Sequence, residues 1–325
     1  MFLSRLSGVA SGMILATVVV LSGVSARAES TLLRIGYLRS PEALNLSRIQ
    51  GTFEKALAPL DVKVEWKGPF GAFAPSAEAL NANAIDLALG SSTAALTVIA
   101  GDAPLSLLSY GWDNGDDAGI VVRSGSSIKS VRDLVGKTVA VNRGGTGEYM
   151  LSRAMEKAGI PIGEVKKAYL SPPDSAAALS QNRIDAWAAW STFFPVALAE
   201  LDARSIAVDQ DYDAENATVF VVRTEFARKN PKIMGVLLAS LRQANAWLVK
   251  NPEAAAALWV KELKVSPATA KLIANFRNNP PLPIKEKELA ALERQNTWLV
   301  DQKILRQKAD IQSHIVTDFG GMSFD

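Results

Sequence analysis

Cysteine is absent from all 325 residues, and the single histidine, His314, stands in the C-terminal tail. The first absence excludes disulfides, thiol nucleophiles and a lipid anchor on an N-terminal cysteine. The second leaves a Ser-His-Asp apparatus without a base near any candidate nucleophile and argues equally against zinc held by His or Cys. Charge of one sign is missing too, with 35 Lys and Arg against 33 Asp and Glu. So neutral a chain exerts no long-range pull on nucleic acid or anionic lipid. Only one long apolar run occurs, Val9–Val24, and it falls short of the roughly 20 residues a membrane-spanning helix needs.

With Arg5 before it and Ala26-Arg27-Ala28 after it, that run reads as an export signal cut before Glu29. The cut removes Arg5 and Arg27 and no acid, leaving 33 charges of each sign on 297 residues. That length suits about two domains, and with 48% apolar residues the chain can fill both cores. An exported protein with no anchor is useful only where something retains it, which favours a periplasm. No cofactor, metal or nucleic acid is expected.

One stretch occurs twice, 99 residues apart, as ALNANAIDLALGSST (Ala79–Thr93) and ALSQNRIDAWAAWST (Ala178–Thr192), with seven of fifteen positions identical. Each copy reads as a helix ending near an Asn, a tight turn, a short apolar strand opening with Ile-Asp, and a Ser-Thr pair starting the next helix. Two similar α/β lobes follow. Ligands in open α/β sheets sit outside the carboxyl ends of the strands, so facing lobes would present their Ser-Thr turns across one crevice.

Alternation along the chain fits that plan. Strands are expected at Leu32–Leu38, Val62–Lys67, Ile85–Leu89 and Leu105–Tyr110, with helices at Leu46–Ala58, Ser76–Ala82 and Thr93–Ala100 between them. After the polar loop GWDNGDD, Ile120–Val122 is expected to cross into a second lobe with strands at Thr138–Val141, Ala168–Leu170, Ile184–Ala189 and Ser205–Val208. Helices at Glu148–Ala158, Asp174–Ser180 and Phe194–Leu201 separate those strands, and Thr218–Val222 reads as the return crossing. The remainder reads as helices, opened by Pro231 and Pro252 and continuing at Pro267–Arg277 and Ile284–Gln302. The expected lobes are 29–117 with 218–325, and 118–217, each a mostly parallel sheet flanked by helices in a two-lobed clamshell. Trp247, Trp259 and Trp298 read as core, the Lys285–Glu288 run as a solvated face, and Asp113, Asp116 and Asp117 as a solvated linker rather than a Ca²⁺ loop.

Several residues are candidates for binding. Asn142–Gly147 (NRGGTG) joins a strand to a helix whose unsatisfied N–H groups and dipole favour an anion, with Arg143 adding charge. A Walker-type loop is excluded because no Lys-Ser/Thr pair follows. Glu148 either caps the helix, repels the anion or meets a cationic part of the ligand. Trp190 is expected in the cleft beside Ser191, whereas Trp187 is expected in the core. Arg39 and Ser40 end the first strand, and Arg39 offers a fork for a sulfonate, carboxylate or phosphate.

The order of LRIGYL, Glu78–Asp86, SVRDLVGKTVAV, a Gly-rich turn, YLSPPDSAAAL and IDAWAAW resembles the periplasmic binding proteins of aliphatic sulfonate, taurine and nitrate ABC importers. The resemblance implies a type II-like, two-lobed solute binder, not an enzyme, that hands a small organic anion, in the first place an aliphatic sulfonate, to a membrane permease with its ATPase. A monomer is expected. It places the anion turn on Gly145, Thr146 and Gly147, the lobe-one strand-end turn on Ser91, Ser92 and Thr93, and the cleft tryptophan on Trp190. Three departures stand at the expected cleft: Ser191-Thr192 where those binders have Asp-Pro, Glu148 after the Gly-rich turn, and Phe73 where Gly is common. Nitrate, a carboxylate or a zwitterionic amino acid or aminosulfonate remain alternatives, as does a soluble input to a separate membrane sensor. The same fold hosts a pyrimidine-precursor synthase related to thiamine biosynthesis, whose Cys-rich motif this chain lacks.

Overall fold

The computed structural model describes residues 30–112, 116–212, 216–276 and 279–324. The expected export segment Met1–Ala28 and Asp113 of the polar loop lie outside them. The first half contains β1 (Thr31–Leu38), α1 (Ala43–Gln50), α2 (Thr52–Leu57), β2 (Val62–Phe70), α3 (Phe73–Asn81), β3 (Leu87–Ser91), α4 (Ser92–Ile99) and β4 (Leu105–Trp112). The helix expected over Leu46–Ala58 is divided because Gly51 is left-handed, φ 62°, and its N–H caps α1 on the Arg48 and Ser47 carbonyls. Next come β5 (Ala118–Arg123), β6 (Thr138–Val141), α5 (Thr146–Lys157), β7 (Lys166–Tyr169), α6 (Pro172–Ser180), β8 (Ala186–Trp190), α7 (Phe193–Glu200) and β9 (Ala203–Val208). The chain closes with β10 (Ala217–Arg223), α8 (Thr224–Lys229), α9 (Pro231–Lys250), α10 (Pro252–Leu263), α11 (Pro267–Ala274) and α12 (Glu286–Asp301).

Two five-stranded sheets result, ordered β2-β1-β3-β10-β4 and β7-β6-β8-β5-β9. In each, four strands run one way and one runs against its neighbours: β10 lies antiparallel to β3 and β4, and β5 antiparallel to β8 and β9. That antiparallel strand is the first one after each crossing, so the two crossings tie the sheets together. Alternation then covers both faces of each sheet. Phe220 and Val222 face the core under α1, α2 and α9, while Val219 and Val221 face α3, α4 and α12. In the second sheet Ile120 and Val122 pack toward α5, and Val121 packs with Trp187 toward α6 and α7.

The repeat is structural. Asn83 and Asn182 are both left-handed, φ 57° and 59°. The backbone N–H of Asp86 donates to Arg34 O at 2.7 Å while its Oδ2 accepts from Arg34 N at 2.8 Å. Asp185 makes the same pair with Thr138, at 2.9 and 2.8 Å. A short carboxylate thus staples the start of β3 and of β8 to the neighbouring strand. Only Asp86 carries more: the guanidiniums of Arg34 and Arg223 reach it at 2.9 and 2.7 Å.

One sequence reading is corrected. Glu288, expected on a solvated face, is 5% exposed and accepts from Trp112 Nε1 at 3.1 Å. Trp298 packs against the core as expected and also reaches across to α5 of the second sheet, edge-on to Tyr149 at 4.9 Å, with its Nε1 donating to Glu156 at 2.8 Å. Trp259 is core as expected, 1% exposed. No helix among the described residues is long and apolar enough to cross a membrane.

Candidate functional site

The carboxyl ends of the two inner parallel strands of each sheet lead into a helix: β1 into α1, β3 into α4, β6 into α5 and β8 into α7. Four helix N-termini therefore mark the expected crevice, two from each sheet, and each presents backbone N–H groups and the positive end of a dipole. Of these four, only α4 is capped by the side chain of its own N-cap residue. Ser91 Oγ accepts from Ala94 N at 3.3 Å, whereas α1, α5 and α7 have no side-chain cap. A small open pocket of about 50 Å³ lies beside α1, lined by Glu42, Trp112, Asp116, Asp117, Thr218 and Phe276 among others. Thr218 pairs with Ser91, and Ala118, next to Asp117, pairs with Trp190, so this pocket adjoins the ends of β3 and β8.

The structure joins the two lobes' expected anion turns through a residue the sequence did not single out. Asn216 Oδ1 accepts from Ser92 Oγ at 3.3 Å and Thr93 Oγ1 at 3.0 Å, and its Nδ2 donates to Thr146 Oγ1 at 3.1 Å. Gln295 of α12 donates to Thr93 Oγ1 at 2.7 Å, and Thr97 Oγ1 donates to Gly144 O at 3.1 Å. Ser92 and Thr93 are 0% and 1% exposed, Thr146 7%. Asn216 follows a short polar segment with no periodicity, so no sequence signal marks it.

The Gly-rich turn is largely self-satisfied. Gly144 N donates to Glu148 Oε2 at 2.7 Å, Gly145 N to Asn142 O at 3.3 Å, and Gly147 N to Asn142 Oδ1 at 2.8 Å. Gly147 has no room for a side chain, since a Cβ there would stand 2.5 Å from Ala188 O. These bonds occupy the Gly145 and Gly147 N–H groups of the turn expected to hold an anion. Burial of this loop against β8 leaves no water to satisfy those groups, and the chain supplies its own acceptors.

Glu148 likewise has inward partners. Its Oε1 accepts from Lys167 Nζ at 2.7 Å and Tyr169 OH at 2.8 Å. Burial pushes its carboxyl up, but Lys167, the Gly144 N–H and Tyr169 outweigh that and hold it below the usual carboxylate range. Lys167 is held above its ordinary value, burial lowering it and Glu148 raising it more. The carboxylate is accounted for without a ligand. Arg143 stacks its guanidinium 3.6 Å from the Tyr169 ring centre.

Of the remaining candidates, Trp190 is half-buried and edge-on to Phe193 at 5.2 Å, while Trp187 is core at 2% exposure. Ser191 adopts φ 49° and its carbonyl accepts from Phe194 N at 3.2 Å. Its neighbour Thr192, the other half of the Ser-Thr pair expected at the cleft, is 7% exposed and its Oγ1 has no partner among the described residues. At the end of β1, Arg39 is exposed and makes no hydrogen bond or ion pair among the described residues, and Ser40 is buried with its carbonyl taken by Asn45 Nδ2 at 3.2 Å. There the pocket wall is Pro41–Ala43 rather than Arg39 and Ser40. A second inter-lobe contact joins α7 to α11, where Glu200 accepts from Ser266 N at 2.9 Å and Thr269 Oγ1 at 2.6 Å.

A protein-family model described as NMT1/THI5 like matches residues 60–255. The "Putative aliphatic sulfonates-binding protein" of Escherichia coli (strain K12) is 30% identical over 298 residues, spanning 90% of this chain and 91% of that protein. Among solved structures, the periplasmic aliphatic sulphonate binding protein SsuA from Escherichia coli superposes with a TM-score of 0.78 at 25% identity, over 89% of this chain and 98% of that one. The alkanesulfonate-binding protein SsuA from Xanthomonas axonopodis pv. citri bound to MOPS gives a TM-score of 0.81 at 23% identity, over 89% and 99%.

Proposed function

We propose, from the premise that this chain belongs to the NMT1/THI5-like family, that it is the periplasmic solute-binding component of an ABC importer. In this reading it takes a small organic anion, in the first place an aliphatic sulfonate, between its lobes, delivers it to a membrane permease with its ATPase, and catalyses nothing. The relatives named for binding sulfonates support the solute class. The observation that carries the reading is the meeting of α4 and α5, whose buried Thr93 and Thr146 hydroxyls converge on one amide from opposite lobes. Opposed helix N-termini in a water-poor crevice suit a compact anion. Export with cleavage after Ala28 and a monomeric state belong to the same proposal.

A thermal-shift screen over ethanesulfonate, taurine, MOPS, nitrate and acetate tests it. A ligand bound only by the folded state adds about 2.7 kcal/mol at a hundredfold excess over its dissociation constant, which raises the melting temperature by several degrees. Sulfonates are expected to give the largest shift. No shift with any sulfonate sinks the assignment. Asp116 on the pocket wall favours, as a second reading, a sulfonate that also carries an amine, and taurine exceeding ethanesulfonate in the screen supports it.

We place the lobes at 29–117 with 218–325 and at 118–217, hinged at the crossings near Asp117–Val122 and Thr218–Val222. Ligand is expected to favour the closed pair, with Trp298 against Tyr149, so the radius of gyration from small-angle scattering should fall at saturation. An unchanged radius at saturating ligand counts against closure as the signal a permease reads.

A further inference from the structure

We infer, resting on the two-lobe reading above, that the seam between α5 and α12 is a clasp, in which Trp298 and Tyr149 set the balance between open and closed lobes and thereby how long a bound solute stays. The seam follows one stripe of side chains. Thr146, Tyr149, Arg153 and Glu156 stand at i, i+3, i+7 and i+10 along α5, which puts them on a single face of that helix. Thr146 reaches Asn216 beside the return crossing, and Tyr149, Arg153 and Glu156 all reach Trp298 of the first lobe. Further out, Gln302 at the C-cap of α12 lines a small cavity with Ser152, Glu156 and Gly159, so the two lobes face one another beyond the tryptophan as well.

Burial decides which of these contacts counts. Tyr149 belongs to the second lobe, yet it is 4% exposed within a buried cluster built on the first sheet that includes Leu96, Leu292 and Leu299. Trp298 packs against the same cluster and meets the Tyr149 ring edge-on, with centroids 4.9 Å apart at 90°, a geometry that adds to the burial of both rings. Its Nε1 donates to Glu156 Oε2 at 2.8 Å, and the same oxygen takes Arg153 Nη1 at 2.6 Å. That ion pair lies within the second lobe and partly in water, so it orients Glu156 and adds little of its own. The rings carry the clasp. From Thr146 to Glu156 the stripe is about 15 Å long, so a rotation at the crossing moves its far end most. Opening withdraws Tyr149 from the first lobe's cluster and uncovers apolar surface. Neither ring has to touch the solute to act on it.

Trp298→Ala and Glu156→Ala test the inference, each checked by a thermal melt. The chain has no cysteine, so spin labels can be set at Val135→Cys on the second lobe and at Val249→Cys or Leu32→Cys on the first, all three exposed, and pulsed EPR then reads the inter-lobe distance. Without solute, Trp298→Ala is expected to enlarge the long-distance population over wild type and Glu156→Ala to enlarge it less, while saturating ethanesulfonate restores the short distance. In stopped-flow displacement, ethanesulfonate should leave Trp298→Ala about tenfold faster or more, with little change in its association rate. A ring that only supports the fold would lower the melting temperature and leave the distances alone. Unchanged distances in both variants overturn the inference. If Trp298→Ala does not fold, Glu156→Ala, which alters one exposed carboxylate, decides by the same measurement. If the wild type does not bind ethanesulfonate, the sulfonate reading falls, and the solute-free distances still decide the clasp.

Discussion

Replacing Asp86 with alanine is expected to destabilise the fold by about 3–5 kcal/mol, the range for breaking a buried ion pair from one side. Asp86 is 1% exposed and accepts from the Arg34 backbone N–H, from Arg34 Nε and Nη2, and from Arg223 Nε and Nη2. Removing it leaves two guanidiniums, at 23% and 16% side-chain exposure, facing one another with no anion between them. Asp185, at the equivalent place in the repeat, accepts the Thr138 N–H at 2.8 Å without an arginine, so Asp185→Ala is expected to cost only about 1–2 kcal/mol. Urea denaturation followed by tryptophan fluorescence compares the two. Equal losses would show that the two arginines add nothing to the staple. Acid should act in the same sense. Burial pushes the Asp86 carboxyl up, but Arg34 and Arg223 hold it below its ordinary value. A depressed folded pKa gives stability that is full above the unfolded value of about 3.9 and is lost as pH falls through the folded one. The gap between wild type and Asp86→Ala should therefore narrow below about pH 4.

That comparison also shows how far the sequence was legible. Ile-Asp in both copies of the repeat announced two equivalent strand starts, and the structure realises them with the same backbone pair. Apolar alternation placed the strands within a few residues, because both faces of each sheet need cover. What stayed hidden depends on long-range geometry. Arg223 lies 137 positions from Asp86, and Asn216 lies 123 from Thr93; nothing local in either segment says that it will meet the other. Trp298 reads as core and packs as core, yet nothing near it says that its ring also meets Tyr149 of the opposite lobe. The Gly-rich turn shows the other limit. Its residue types mark an anion site, but Asn142 and Glu148 are close enough in sequence to occupy the N–H groups themselves. A motif gives the donors; only the fold shows whether they are spent.

Glu148→Gln is the second large effect, an expected loss of about 2–4 kcal/mol in stability with a much smaller change in ligand affinity. At 4% exposure the carboxylate accepts from Gly144 N, Lys167 Nζ and Tyr169 OH. Glutamine keeps the shape but has one acceptor oxygen for these three donors, and its NH₂ must face one of them. Lys167, with 25% side-chain exposure, is left without its counter-ion. Removing the carboxylate charge unmasks the Lys167 ammonium, so affinity for an anion is expected to hold or rise slightly, whereas a residue in direct contact with a cationic ligand would lose affinity. Two measurements decide. In a double-mutant cycle, adding Lys167→Met should recover part of the loss, since no unpaired ammonium remains. In melts from pH 7 downward, the difference from wild type should shrink as pH falls through the depressed Glu148 pKa, where the wild-type carboxylate is protonated and loses the same bonds. A loss that stays constant across that range would place the effect in side-chain packing instead of in the charge that holds the Gly144 turn.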